Sequence, residues 1–317
     1  MQGDGWNRRK FLVTIPGAIA GFAALTKSGF ATKGRAVKVA LSAGTEPPRL
    51  EASPNTIDCH HHIYDYRYPF APTVTVRPPE APLSQYLLLQ QRLGISRSVV
   101  VQPSHYGVDN RLVFDTLKAL GPKKARAIVV VAPTISDADL KQMQQAGACG
   151  MRFNFLQKGG GATWEMMDSM AKRFALIGWH VQIQADGEDI YAHRELLNRL
   201  SCPVVFDHLA RVQEAGRMKD QVFATVCDLM KQGKAWVKIT FENSPVGPPT
   251  YSDTVDVASE YVKQAPGRLV WATNWPHPGL DVKPDDALMF DLLSQVAPDA
   301  KLRKRILVDN AAKLYKF

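Results

Sequence analysis

The sequence predicts a single α/β domain folded as a (β/α)8 TIM barrel, and three observations carry that expectation. Eight short runs rich in apolar and β-branched residues recur between positions 56 and 274. Longer stretches with apolar residues at three- and four-residue spacing lie between most of them. Nearly every run ends in polar side chains, which is where a barrel keeps its chemistry.

The runs are 56–62, 97–103, 126–133, 150–155, 179–184, 203–208, 235–241 and 268–274. They are continuous rather than alternating, as expected for parallel strands covered on both faces. The stretch 137–146 follows Ser136, a candidate N-cap, and ends at Gly147. The stretch 164–177 ends at Gly178, and 189–200, 222–231, 253–263 and 287–296 repeat the helical spacing. Segments 299–307 and 311–314 close the chain as short helices packed after the eighth run. A doubly wound open sheet is the competing fold. No run is followed by a G-x-G-x-x-G or G-x-x-x-x-G-K-[ST] loop, so the usual nucleotide-binding signatures are missing.

The N-terminus differs from the rest. Asn7-Arg8-Arg9-Lys10-Phe11-Leu12 precedes an uncharged apolar stretch over 13–25, and Lys27, Lys33, Arg35 and Lys38 follow. This is the anatomy of an export signal, and the paired arginines place it in the twin-arginine class. The expected division is a signal and linker over 1–43 and a barrel over 44–317, with Ala40-Leu41-Ser42 as a candidate cleavage site. That implies engagement with the twin-arginine export machinery and a periplasmic location. The apolar stretch is too short for a span needing about 20 residues, so no stable membrane span is expected in the mature form.

The 317 residues are 45% hydrophobic and 22% charged, an ordinary globular composition. Of the net charge of +9, +6 sits in residues 1–43, which leaves +3 for the remainder. This gives no reason to expect nucleic acid as a partner. A mild positive excess suits a small anionic substrate. Cys59, Cys149, Cys202 and Cys227 form no C-x-x-C pair, and they read as small buried hydrophobes rather than disulfide partners.

The strand ends carry the candidate site. Run one ends Asp58-Cys59-His60-His61-His62, and strand periodicity turns His60 and His62 to one side. Run two gives Gln102 and Ser104, run four Arg152 and Asn154, and run five Gln182 and Gln184 followed by Asp186. Run six ends Asp207-His208, run seven holds Lys238 and Thr240 before Glu242, and run eight ends at Asn274. Three imidazoles at the ends of runs one and six suit a metal or a substrate oxygen. Lys238 also reads as a core residue whose ammonium pairs with Glu242 or Asp207.

Asp58-x-His60-x-His62, Phe206-Asp207-His208, Trp271 to His277 and the tail Asn310 to Tyr315 resemble the amidohydrolase-related family. The resemblance spans roughly 55–316 and is similar to both the 2-pyrone-4,6-dicarboxylate lactonases and the galactarolactone isomerases. It implies a metal-independent enzyme acting on a lactone, with His60, His62, His208 and Asn274 as catalytic residues. Ser104, Arg152, Asn154, Lys158, Gln182, Gln184 and Asp186 are the expected substrate-binding residues. Metal-dependent relatives place Lys or Glu on strand four, His on strand five and Asp on strand eight. Here those positions offer Arg152, Gln184 and Asn274. A guanidinium repels a cation and neutral amides ligate zinc poorly, so the expected cofactor is none. Zinc on His60, His62 and His208 is the alternative.

In the lactonase pattern a dicarboxylate is clamped by several arginines and tyrosines. Arg152 is retained, Lys158 stands where a second cation is expected, and Ser244 and Gln184 replace an Arg and a Tyr. The amides suit hydroxyls, which favours a polyhydroxylated sugar-acid lactone. Asn274 takes no proton at neutral pH. Either Asp186, Glu242 or His277 is the base for hydrolysis, or a substrate hydroxyl attacks and the reaction is lactone isomerisation. A non-catalytic binding barrel is the third reading.

Overall fold

A computed structural model of the chain describes residues 33–156, 162–212 and 221–317. The export motif at 7–12, Lys158 and the glycines at 159–161 lie outside the described residues.

Strands β1 (Ile57–His61), β2 (Arg97–Val101), β3 (Ala125–Val129), β4 (Ala148–Asn154), β5 (His180–Gln184), β6 (Val204–Phe206), β7 (Ala235–Ile239) and β8 (Leu269–Trp271) form one sheet in chain order. Every neighbouring pair is parallel. The ring is completed just past β8. Asn274 N donates to His60 O at 2.9 Å, and His62 N donates to Trp275 O at 2.8 Å. Asp58 fastens the same seam by accepting from Thr273 N (3.0 Å) and Thr273 Oγ1 (2.7 Å).

The outer layer holds α1 (Leu83–Leu93), α2 (Arg111–Leu120), α3 (Asp137–Gln145), α4 (Trp164–Ile177), α5 (Gly187–Ala192), α6 (Arg194–Arg199), α7 (Gln221–Lys231) and α8 (Ser252–Gln264). After β8 come α9 (Asp286–Asp291), α10 (Leu293–Val296), α11 (Ala300–Lys304) and α12 (Asn310–Tyr315). Ser136 caps α3 by accepting from Asp139 N, and Gly178 ends α4 in the left-handed region at φ +67°. The stretch 189–200 breaks into two helices at His193, and 287–296 breaks at Leu292. Sequence periodicity did not single out α1, where three consecutive leucines blur the spacing.

Two apolar clusters result. The larger one lies between strands and helices. The smaller fills the barrel itself with Ile57, Cys59, Val101, Val205, Trp236 and Val270, and α12 seals one end with Leu314 and Tyr315. Phe317 lies against Arg97 and Arg126 at the starts of β2 and β3, so the plugged end is the N-terminal one. The chemistry is left to the other mouth.

The N-terminal linker is folded onto the barrel. Val39 is fully buried, Ala40 O accepts from Trp275 Nε1 at 3.0 Å, and Ala43 O accepts from Arg92 at 2.7 Å. The boundary expected at residue 43 falls inside this packed segment, as does Ala40-Leu41-Ser42. All four cysteines are buried and free.

Candidate active site

Periodicity places His60 and His62 together, and the structure agrees: their Nε2 atoms are 3.1 Å apart. Asp58 breaks the alternation. The β1–β2 register shifts between Asp58 and His61, so both face outward onto Tyr86. Tyr86 Oη donates to Asp58 at 2.9 Å and stacks on the His61 ring at 3.5 Å. Burial pushes the Asp58 carboxyl up to about 6 and the His61 imidazole down to about 3. Asp58 therefore serves the barrel seam.

The centre of the mouth is Asp207, fully buried at the end of β6. Its Oδ2 accepts from Arg152 Nε at 3.0 Å and from Gln182 Nε2 at 3.1 Å. Its Oδ1 lies 3.3 Å from Lys238 Nζ and 3.2 Å from His60 Nδ1. Burial would raise this carboxyl, but Lys238, His60 and Arg152 together hold it well below the usual carboxylate range. Burial and the neighbouring ammonium push His60 well below the ordinary imidazole value. Burial likewise lowers Lys238, with Asp207 opposing.

The partners fix the tautomers. Val101 O can only accept, so His62 Nδ1, 2.8 Å away, carries its proton. His62 Nε2 is therefore an acceptor, and His60 Nε2 donates to it. That makes His60 Nδ1 an acceptor for Lys238, at the expense of a hydrogen bond to Asp207 Oδ1 3.2 Å away. Lys238 then meets three acceptors with its three N–H groups: Gln182 Oε1 at 2.6 Å, His60 Nδ1 at 3.2 Å and Asp207 Oδ1 at 3.3 Å. Three imidazoles surrounding a substrate oxygen would all have to be donors. In this network His60 presents an Nε2–H and His62 a lone pair.

A second cluster borders the first. His208 Nδ1 lies 3.1 Å from both Glu242 Oε1 and Thr240 Oγ1. Asn274 Nδ2 donates to the same Glu242 oxygen at 2.9 Å. Burial raises the Glu242 carboxyl, but His208 and His277 outweigh it and the group lies below its ordinary value. Glu242 Oε2 and Asn274 Oδ1 are buried without a partner among the described residues. His208 and Asn274 take φ of +51° and +58°, unusual for residues with a side chain. Such backbone costs about 1–2 kcal/mol per residue and tends to persist where it aims a functional group.

The other expected residues divide. Arg152 reaches Gln184 Oε1 with its second terminal nitrogen as well as Asp207, so β4 and β5 are tied through the mouth. Gln182 is fully buried, with both amide atoms spent on Asp207 and Lys238. It holds the network and is not free for substrate. Asn154 Nδ2 donates to Ser104 Oγ at 3.0 Å, which brings those two together at the half-buried rim. Asp186 is 62% exposed and pairs with Arg211, outside the buried cluster. Ser244 bonds Asp253. His277 Nε2 lies 3.2 Å from Asp286, and its Nδ1 is buried with no hydrogen-bond partner among the described residues. The sequence undervalued Asp207 and Lys238. The available signal was a lone lysine inside an apolar strand.

The charges around this donor set oppose a divalent ion. Among the described residues, His60, Asp207 and His208 bring one ligand atom each within 4.8 Å of one another. The His60 nitrogen facing His62 carries a proton in the Lys238-bound tautomer. A guanidinium and an ammonium already flank the carboxylate.

Comparison with known proteins agrees with this architecture. The amidohydrolase family model matches residues 57–317. The chain is 35% identical over 288 residues to the 2-pyrone-4,6-dicarboxylate hydrolase of Comamonas testosteroni, covering 86% of this chain and 94% of that one. It is 34% identical over 277 residues to the 4-sulfomuconolactone hydrolase of Hydrogenophaga intermedia, with 85% and 91% covered. It is 30% identical over 267 residues to the D-galactarolactone isomerase of Agrobacterium fabrum, with 82% and 90% covered. A ligand-free crystal structure from Agrobacterium tumefaciens superposes with a TM-score of 0.80 at 28% identity, over 87% of this chain and 98% of that one. The chain belongs to the amidohydrolase family.

Proposed function

We propose that this enzyme is a metal-independent lactonase, adding water to the carbonyl of a sugar-acid or dicarboxylic-acid lactone. The observation that carries the reading is the Lys238–His60 pair. An ammonium on His60 Nδ1 makes the opposite Nε2–H, which donates to His62 Nε2 at 3.1 Å, a stronger donor that a substrate oxygen entering beside the two rings would share. A carbonyl oxygen there gains negative charge on attack, and a preorganised buried donor stabilises it more than water does. Arg152 adds a fixed positive charge beside it. In the reaction the water oxygen bonds to the carbonyl carbon, the ring C–O bond breaks, and the ring oxygen leaves as a hydroxyl. Elemental analysis of chelator-free protein, together with acid release from a panel of aldaric and dicarboxylic lactones, tests the reading. Turnover without stoichiometric metal is expected, and activity that tracks bound zinc overturns it.

A second reading is lactone isomerisation. Asn274 Oδ1, buried without a partner among the described residues, would accept from a substrate hydroxyl that attacks in place of water. Reaction in ¹⁸O water separates the two, because hydrolysis leaves label in the carboxylate and isomerisation leaves none. We also propose twin-arginine export on the motif Asn7 to Leu12. An Arg8→Lys/Arg9→Lys variant is then expected to stay in the cytoplasm, and its normal export would refute that route. No described helix is long and apolar enough to cross a membrane.

A further inference from the structure

We propose that His208 is the base that activates the nucleophile, and that Glu242 positions it, taking over the part left empty by the amide at Asn274. This rests on the lactonase reading. Glu242 Oε1 and Thr240 Oγ1 both lie 3.1 Å from His208 Nδ1, and a carboxylate there can only accept. His208 is thereby held as its Nδ1–H tautomer. Its Nε2 has no hydrogen-bond partner among the described residues and is an acceptor. Its ring lies 5.2 Å from that of His60, the carbonyl-oxygen donor, so base and donor share one mouth.

The two other candidate bases are placed differently. Asp186 is on the surface with Arg211, and His277 is fully buried with its Nε2 on Asp286. Glu242 is buried and fixed from two further sides by Asn274 and Asn243. The left-handed backbone continues from His208 through Arg211, which turns the imidazole at the strand end.

In the step, His208 Nε2 takes a proton from water as its oxygen bonds to the carbonyl carbon, and the C=O pair moves onto the oxygen facing His60. Collapse breaks the ring C–O bond. The departing ring oxygen takes the proton back from His208, and the product acid releases its own proton to solvent. Asn274 Oδ1 holds the second hydrogen of the water. Glu242 stays ionised throughout and offsets the imidazolium charge.

Two measurements test this. The first is the ¹⁵N spectrum of His208, which does not depend on the substrate. The wild type is expected as the Nδ1–H tautomer and Glu242→Gln as the Nε2–H tautomer. An Nε2–H tautomer in the wild type overturns the proposal even if no lactone is turned over. The second is a double-mutant cycle on kcat with Glu242→Gln and His208→Asn, on variants whose near-UV circular dichroism matches the wild type. Glu242→Gln is expected to lower kcat by about 10³-fold or more with little change in KM, and Glu242→Asp to recover part of the loss. The double variant is expected to be no slower than His208→Asn alone. Losses that multiply, or a Glu242→Gln effect confined to KM, overturn the proposal. If no lactone is a substrate, the lactonase reading fails and the tautomer result still decides whether Glu242 sets His208.

Discussion

Replacing Lys238 with methionine should turn this site into one that binds zinc. Lys238 is fully buried and donates to Gln182, His60 and Asp207. Methionine fills the volume of the lysine stem without its charge. His60 Nδ1 then loses its donor, and the best remaining arrangement gives that nitrogen a proton to donate to Asp207 Oδ1, 3.2 Å away. The proton leaves Nε2, so the lone pairs of His60 and His62 converge. Electrostatics favour the same outcome. A dication on His60 Nε2 would sit about 6 Å from the ammonium, a repulsion of about 5 kcal/mol at an effective dielectric near 20. Removing it corresponds to three to four orders of magnitude in affinity, roughly. Uncovering one side of a buried ion pair costs about 3 kcal/mol, at the low end because Arg152 and Gln182 stay on Asp207. Chelator competition on folded protein reads the affinity directly. Zinc binding equally tight in Lys238→Met and wild type would refute the tautomer argument and its electrostatics together.

Three further outcomes follow from the same geometry. Burial depresses His61 and His180 from 6.5 to about 3, so the stability they contribute is present above pH 6.5 and is lost as pH falls below it. Asp58, raised from 3.8 to about 6, works in the opposite sense, and from pH 7 to pH 5 the three together remove about 2–3 kcal/mol; a melting temperature no lower at pH 5 contradicts this. Asp58→Asn puts an amide donor against Thr273 and Tyr86 donors at the barrel seam and should cost about 3 kcal/mol in urea unfolding, where a change under half of that would remove Asp58 from the seam. Asn274→Asp sets a second carboxylate against Glu242, so the pair holds a proton at a raised pKa and the variant loses stability relative to the wild type as pH rises from 5 to 8; thermal melts of both proteins across that range check the sign of the difference.

The barrel was legible because eight strands buried on both faces leave eight unbroken apolar runs, and no turn chemistry competed with them. His60, His62, His208 and Asn274 were legible from their places at strand ends. What the sequence does not carry is who meets whom across the barrel. His60 and Lys238 are 178 positions apart, and only strand register brings them to 3.2 Å. Without that contact, Lys238 reads equally well as a core ion pair, and the His60 tautomer has no determinant. The same missing register hid the fate of Gln182, an amide suited to a hydroxyl that is spent on Asp207 and Lys238 instead. The side on which Asp58 lies was hidden for a local reason, since a register shift of one residue moves it to the helix side of β1.

The two clusters at the mouth share a logic of charge. Around Asp207 a guanidinium and an ammonium face one carboxylate, so with both charged the inner cluster carries a net positive charge. Around Glu242 a single carboxylate faces neutral groups, so the outer cluster carries a net negative charge. The first suits a carbonyl oxygen gaining electrons, and the second an imidazole gaining a proton. Asn274 keeps that division. An aspartate there would bring a second anion within 2.9 Å of the Glu242 oxygen, and one of the two would have to stay protonated. The amide gives Glu242 a donor, keeps it ionised, and leaves Oδ1 for the nucleophile. The strand-eight carboxylate and the buried Glu242 are thus alternatives, and a chain with one at full charge has a physical reason to lack the other.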